Sequence, residues 1–102
     1  MAELTIVYWR DIPAQVIARA GRKTAKAELA KRFMEAIDAA AMRAGASDSD
    51  AYLADWRRGE PAKCGDDLDA AVAEAVRAVE LAYGGDRLKE LIESGGRDTL
   101  AA

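Results

Sequence analysis

Glu3-Leu-Thr-Ile-Val-Tyr-Trp-Arg10, followed at once by Asp11-Ile12-Pro13 and then by Ala14-Gln-Val-Ile-Ala-Arg19, decides how this chain is read. The first eight residues are dense in β-branched and aromatic types, which fit a pleated surface better than a helix, so they predict a strand. Pro13 lacks an N–H and pushes Ile12 toward an extended or turn conformation, which breaks that strand at Asp11. Ala14 to Arg19, with Val16 and Ile17 at its centre, then reads as a second strand running back beside the first as a hairpin, with a short helix as the rival reading.

Downstream the periodicity changes to three and four. Gly21-Arg22-Lys23-Thr24 punctuates the chain, and Thr24 is the expected N-cap of a long helix from Ala25 to Ala44, with Leu29, Phe33, Ala36, Ile37, Ala40 and Ala44 on one face and Gly45 ending it. A short helix after Ser49 carries Tyr52, Leu53 and Trp56 on one side until Gly59 and Pro61 stop it. Asp66 or Asp67 caps the next helix, whose buried stripe is Leu68, Val72, Ala75, Val76, Val79 and Tyr83. Gly84-Gly85 closes that helix. Asp86 begins a last one with Leu88, Leu91 and Ile92 inward and Gly95-Gly96 at its end.

A two-stranded hairpin is unstable alone and needs helices on its apolar face. The expected fold is therefore α+β: an N-terminal two-stranded β-hairpin packed on three to four α-helices. One domain over residues 1–96, with a flexible tail over 97–102, follows from a length of 102 residues, which has room for one hydrophobic core.

Half of the chain is apolar and about a third charged, as in soluble globular domains. Charged residues at Glu3, Arg10 and Asp11 are unlike a signal peptide, and no apolar run approaches the roughly 18 residues that suggest a membrane span. Cys64 is the single cysteine, so no internal disulfide can form, in keeping with a reducing compartment; a cytoplasmic protein is expected. The net charge of −3 conceals a dipole: Arg10 to Arg32 holds seven cations against two anions, whereas Cys64 to the end holds four against nine.

The sequence contains no histidine. That removes the commonest general base, the Ser-His-Asp and Cys-His systems, and most zinc or non-haem iron sites. With one thiol, no thiolate cluster can be built within the chain either. Cys64 lies near a helix start, but Asp66, Asp67 and Asp69 oppose thiolate formation there, so an unactivated loop thiol is expected. The carboxylates Asp48, Asp50 and Asp55, and Asp66, Asp67 and Asp69, sit where helix caps and first turns favour acids and lack the spacing of a calcium loop. Neither a metal, nor a cofactor, nor a catalytic residue is expected, and the protein reads as a non-enzyme.

Two features point instead to binding. Gly21-Arg22-Lys23-Thr24 resembles the end of a phosphate loop, but Val16 stands where the first glycine is required; what remains reads first as a plain solvated turn with an ordinary cap, with an anion site, a glycine turn feeding cations into an expected helix start, as the rival reading. Tyr8, Trp9 and Arg10, with Asp11, Arg19, Arg22, Lys23, Lys26, Arg57 and Arg58, mix aromatics and cations. Such a mixture anchors protein partners, holds anions or stacks bases. Strand alternation should turn one of Tyr8 and Trp9 to the core and the other to solvent.

Tyr8-Trp9-Arg10-Asp11-Ile12-Pro13, Gly21-Arg22-Lys23, Phe33 through Ala41, and Asp50-Ala51-Tyr52-Leu53 leading to Trp56-Arg57-Arg58-Gly59 occur in an order that resembles the small "virulence factor" proteins and domains related to conserved virulence factor C. The resemblance covers about Glu3 to Gly96. Larger relatives look like fusions with a NifU-like module and helical repeats, and short ones sit beside genes of corrinoid and folate methyl transfer. It implies no catalytic residues.

The expected function is thus a non-catalytic accessory or adaptor protein, binding a partner protein of a methyltransferase system through the Trp9 to Pro13 turn and the basic residues around Arg19 to Lys26. The alternatives are a binder of an anionic small molecule, such as a folate or phosphorylated cofactor, and a weak single-stranded nucleic-acid binder, which the overall acidity disfavours. No membrane partner is expected, and a homodimer is compatible with the sequence.

Overall fold

β1 (Ala2–Trp9) and β2 (Ile12–Ala20) form the expected antiparallel hairpin, closed by the two-residue turn Arg10-Asp11. The structure is a computed structural model that describes residues 2–46 and 49–97. The expected carboxylate at Asp48, and the tail beyond Arg97, lie outside the described residues. From Ala2↔Ala20 to Val7↔Gln15 the register is regular, and it then slips so that Tyr8 faces Pro13 and Trp9 faces Ile12, leaving Ala14 as the extra residue on β2. This bulge bends the hairpin and lets Ile12, Pro13 and Ala14 be buried in succession, which a plain strand with one solvated face does not allow.

The next segment corrects the sequence expectation. Lys23–Glu28 is a third strand, β3, paired antiparallel with β2, and not the start of a helix capped by Thr24. Gly21 at φ +61° opens a two-residue turn with Arg22, the glycine-first pattern of a type II′ hairpin. Once that turn forms, Ala25 and Ala27 fall opposite Ala18 and Val16 and bury their methyls there, while Thr24, Lys26 and Glu28 alternate to the other face. β4 (Trp56–Arg58) and β5 (Ala62–Lys63) share the far side of β1, opposite its two ends. The described residues thus form a five-stranded antiparallel sheet in the order β3-β2-β1, then β4 and β5, where a two-stranded hairpin was expected.

Among the described residues four helices complete the α+β fold: α1 (Lys31–Arg43), α2 (Ser49–Ala54), α3 (Leu68–Ala82) and α4 (Gly85–Glu93). α3 begins as expected, with the Asp67 carboxylate accepting from the Ala70 N–H at 3.1 Å. It lies across β2 and β3, covering the face that carries Leu4, Val16, Ala18, Ala25 and Ala27. α1 has no local cap. Glu80 of α3 supplies one from a distance, its Oε2 accepting from the N-cap residue Ala30 at 2.8 Å. α1 packs on β2 and α4, and the core centres on Trp9, Ile12, Val16, Phe33, Ile37 and Leu91, all fully buried. Among the described residues no helix is long and apolar enough to cross a membrane.

Candidate functional site: the uncovered sheet face

The aromatic-basic residues named from sequence do not form one patch. Trp9 is 0% exposed, so it belongs to the core and not to a contact surface. Its Nε1–H donates to the Tyr52 carbonyl at 2.8 Å and its ring stacks on Tyr52 at 5.9 Å. Arg10 lies over the same ring at 4.8 Å, donates from Nε to Asp55 Oδ2 at 3.0 Å, and donates from Nη1 to the Gly95 carbonyl at 2.8 Å. Its backbone adopts φ +53°, a conformation unusual for arginine, and is held by hydrogen bonds from Arg10 N to Asp55 O and from Asp11 N to Gly96 O. The Asp11 carboxylate accepts from Arg57 Nη2 at 3.1 Å, and Arg57 also donates to the Arg10 carbonyl and stacks on Tyr8 at 4.5 Å. Trp9, Arg10, Asp11 and Arg57 are therefore a clamp, joining the β1–β2 turn to α2, β4 and the turn after α4.

Arg22 and Lys23 are exposed at the opposite end of β2, roughly 25 Å away at about 3.3 Å per residue. No helix starts beside them, so the anion site that a helix N-terminus would have offered, the rival to a plain solvated turn, does not form; the turn joins two strands.

Arg19, Lys26 and Arg58 do share a surface. Antiparallel pairing sets Thr5 beside Ile17 and Ile17 beside Lys26, Glu3 beside Arg19, and Val7 beside Arg58, all on the face away from α3. Thr5 and Ile17 are half-buried at its centre, and Arg19, Lys26 and Arg58 are exposed around them. Among the described residues, these three cations form no ion pair. Arg19 and Arg58, with Glu3, Thr5, Ile17, Gly59 and Pro61, line a shallow hollow of about 260 Å³.

An antiparallel sheet with one solvated face is ordinary. Three cations without an ion pair among the described residues, set around an aliphatic centre, make this one adhesive to a partner that brings carboxylates and a few apolar groups. Thr5, Ile17 and Glu3 were missed from sequence, although the alternation Leu4/Ile6 against Thr5/Val7, and Val16/Ala18 against Ile17/Arg19, carries the signal. The phenol of Tyr52 is pushed up by burial and secondarily by the Asp38 carboxylate, against a hydrogen bond with Trp56.

The fold and this face define a small α+β domain with a helix-backed sheet and one bare, cation-bearing side. Residues 7–92 match the Virulence factor family, and the chain belongs to it. No curated protein and no solved structure matches it. The matched span runs from within β1 to α4 and includes Ile17, Arg19, Lys26 and Arg58.

Proposed function

We propose that this protein is a non-catalytic accessory protein that binds a partner protein on the uncovered face of its sheet, with Val7 and Ile17 as the apolar centre beside the Thr5 hydroxyl and Arg19, Lys26 and Arg58 meeting carboxylates at the rim. The observation that carries this reading is the convergence of those three exposed cations, without an ion pair among the described residues, on the sheet surface opposite α3, around Thr5 and Ile17. The family resemblance points to proteins of corrinoid and folate methyl transfer as the partners to try first. Titrating such a protein into isotope-labelled chain should shift the amide signals of Thr5, Ile17, Arg19, Lys26 and Arg58, and the affinity should fall with added salt. Shifts confined to α1 and α4, or an affinity unchanged in an Arg19→Glu, Arg58→Glu variant, reject the reading.

The hollow between Arg19 and Arg58 favours a second reading, an anionic small molecule held by both guanidinium groups. A folate or phosphorylated ligand would then raise the unfolding temperature at saturating concentration, and the same double variant would abolish the rise.

A further inference from the structure

The outer edge of β3 carries six residues with no proline and no bulge, and no described strand pairs with it. The Leu29 N–H donates to the Ala14 carbonyl at 3.1 Å, so Lys23, Ala25 and Ala27, in phase with Leu29, turn their backbone groups toward β2. Thr24, Lys26 and Glu28 therefore aim their N–H and C=O groups outward. An edge of this kind is a template for another strand.

We propose that two copies of this chain dimerise through their β3 edges, antiparallel about a two-fold axis at Ala25, extending the sheet across the pair. This inference stands apart from the proposed function, because the dimer leaves the uncovered face open. The register follows from strand overlap together with charge: an axis at Ala27 would pair Lys26 with Glu28 but overlap only residues 26–28 of β3, whereas an axis at Ala25 overlaps 23–27. An axis at Ala25 places Thr24 opposite Lys26 and Arg22 opposite Glu28, giving two opposite-charge pairs by symmetry; an axis at Lys26 places the two Lys26 ammonium groups opposite each other. Arg22 and Glu28 are both exposed and have no ion partner among the described residues.

The helix above the edge fits the same axis. Ala70, Ala71 and Ala75 of α3 line a hollow with Leu4 and Ala62, on the β1 side. At 100° per residue, Ala73, Val76 and Arg77 fall on the opposite flank, toward β3, where they border a hollow of about 450 Å³ with Leu81, which is 80% exposed. With strands about 4.8 Å apart and α3 lying over β2 and β3, the two α3 helices of a dimer would run roughly 10 Å apart, the ordinary distance for packed helices. The small Ala73 and the exposed Leu81 are what such a helix pair would bury. The second copy thus covers an edge and an apolar flank together.

Sedimentation equilibrium and light scattering of the wild-type chain should give twice its 10.9 kDa at micromolar concentration. Lys26→Pro removes an outward N–H and no bond to β2, so it should give a folded monomer by circular dichroism. Glu28→Arg should raise the dissociation constant about tenfold, and Arg22→Glu in the same chain should restore it. In an Ala25→Cys, Cys64→Ser variant, oxidation should link the chains, since an axis at Ala25 sets the two introduced thiols within disulfide reach. A monomer at all concentrations up to the millimolar range overturns the proposal. So does a dimer that persists in Lys26→Pro and that oxidation fails to cross-link in the Ala25→Cys, Cys64→Ser variant.

Discussion

Arg10 and Asp55 are joined twice: the Arg10 backbone N–H donates to the Asp55 carbonyl at 3.0 Å, and its Nε donates to the Asp55 carboxylate at the same distance. The Arg10 side chain is only 16% exposed, and its guanidinium also reaches Gly95 O and the Trp9 ring. Arg10→Ala should therefore destabilise the fold by about 2–3 kcal/mol, the range for losing charge-assisted hydrogen bonds that are partly buried. Arg10→Lys should recover little, because one ammonium cannot span Asp55 and Gly95 as the planar fork does. Urea unfolding of the two variants checks this, and a loss below about 1 kcal/mol would show the clamp to be ornamental.

Gly96 and Gly45 separate two costs of the same substitution. Both have positive φ, +92° and +72°, but a Cβ at Gly45 meets nothing within 4 Å, whereas one at Gly96 would stand 2.9 Å from the Trp9 ring. Gly45→Ala should cost about 1 kcal/mol from backbone strain alone. Gly96→Ala should cost clearly more, since it also displaces a fully buried indole and strains the bond from Asp11 N to Gly96 O. Equal losses in thermal unfolding would mean that Trp9 yields freely.

Glu80 should be worth about 1 kcal/mol to the start of α1, because it is the acceptor for the Ala30 N–H and no local side chain replaces it. Glu80→Ala removes the bond. Glu80→Gln keeps an oxygen acceptor and should lose less. Amide exchange at Ala30 should accelerate in the alanine variant, while exchange within α3 stays unchanged.

The contrast between α3 and β3 shows what is legible in the sequence. α3 announces itself through Asp67 at its cap and Leu68, Val72 and Val79 at helical spacing, all three of them buried as that spacing predicts. β3 does not, because Lys-Thr-Ala-Lys-Ala-Glu is rich in good helix formers and its apolar alternation consists of two alanines. Its strand state comes from the Gly21-Arg22 turn and the space beside Val16 and Ala18, which is tertiary context overriding propensity. β4 is hidden for a related reason, since Trp56-Arg57-Arg58 is too short to show a period. The binding surface suffers from the same gap: Trp9 reads as a surface anchor until the bulge at Ala14 and the cover from Tyr52 and Gly96 are in place.

Tyr52 makes stability depend on alkaline pH. Burial and the nearby Asp38 carboxylate disfavour its phenolate, so the folded chain holds that proton more tightly than the unfolded chain does. The unfolded phenol releases its proton near pH 10, and from there until the higher folded pKa is passed the unfolded state is the more ionised one. Stability from this group is therefore complete below about pH 10 and declines as pH rises through the folded value. Tyr52→Phe removes the titration but keeps the ring that stacks on Trp9 and meets Trp56 edge-on. The difference in urea midpoint between wild type and variant should be constant from pH 7 to about 9.5 and then shift in favour of the variant, because every other titrating group cancels in the difference. A difference that stays flat through pH 11 would place the phenol in free solvent and contradict the packing of α2 against β1.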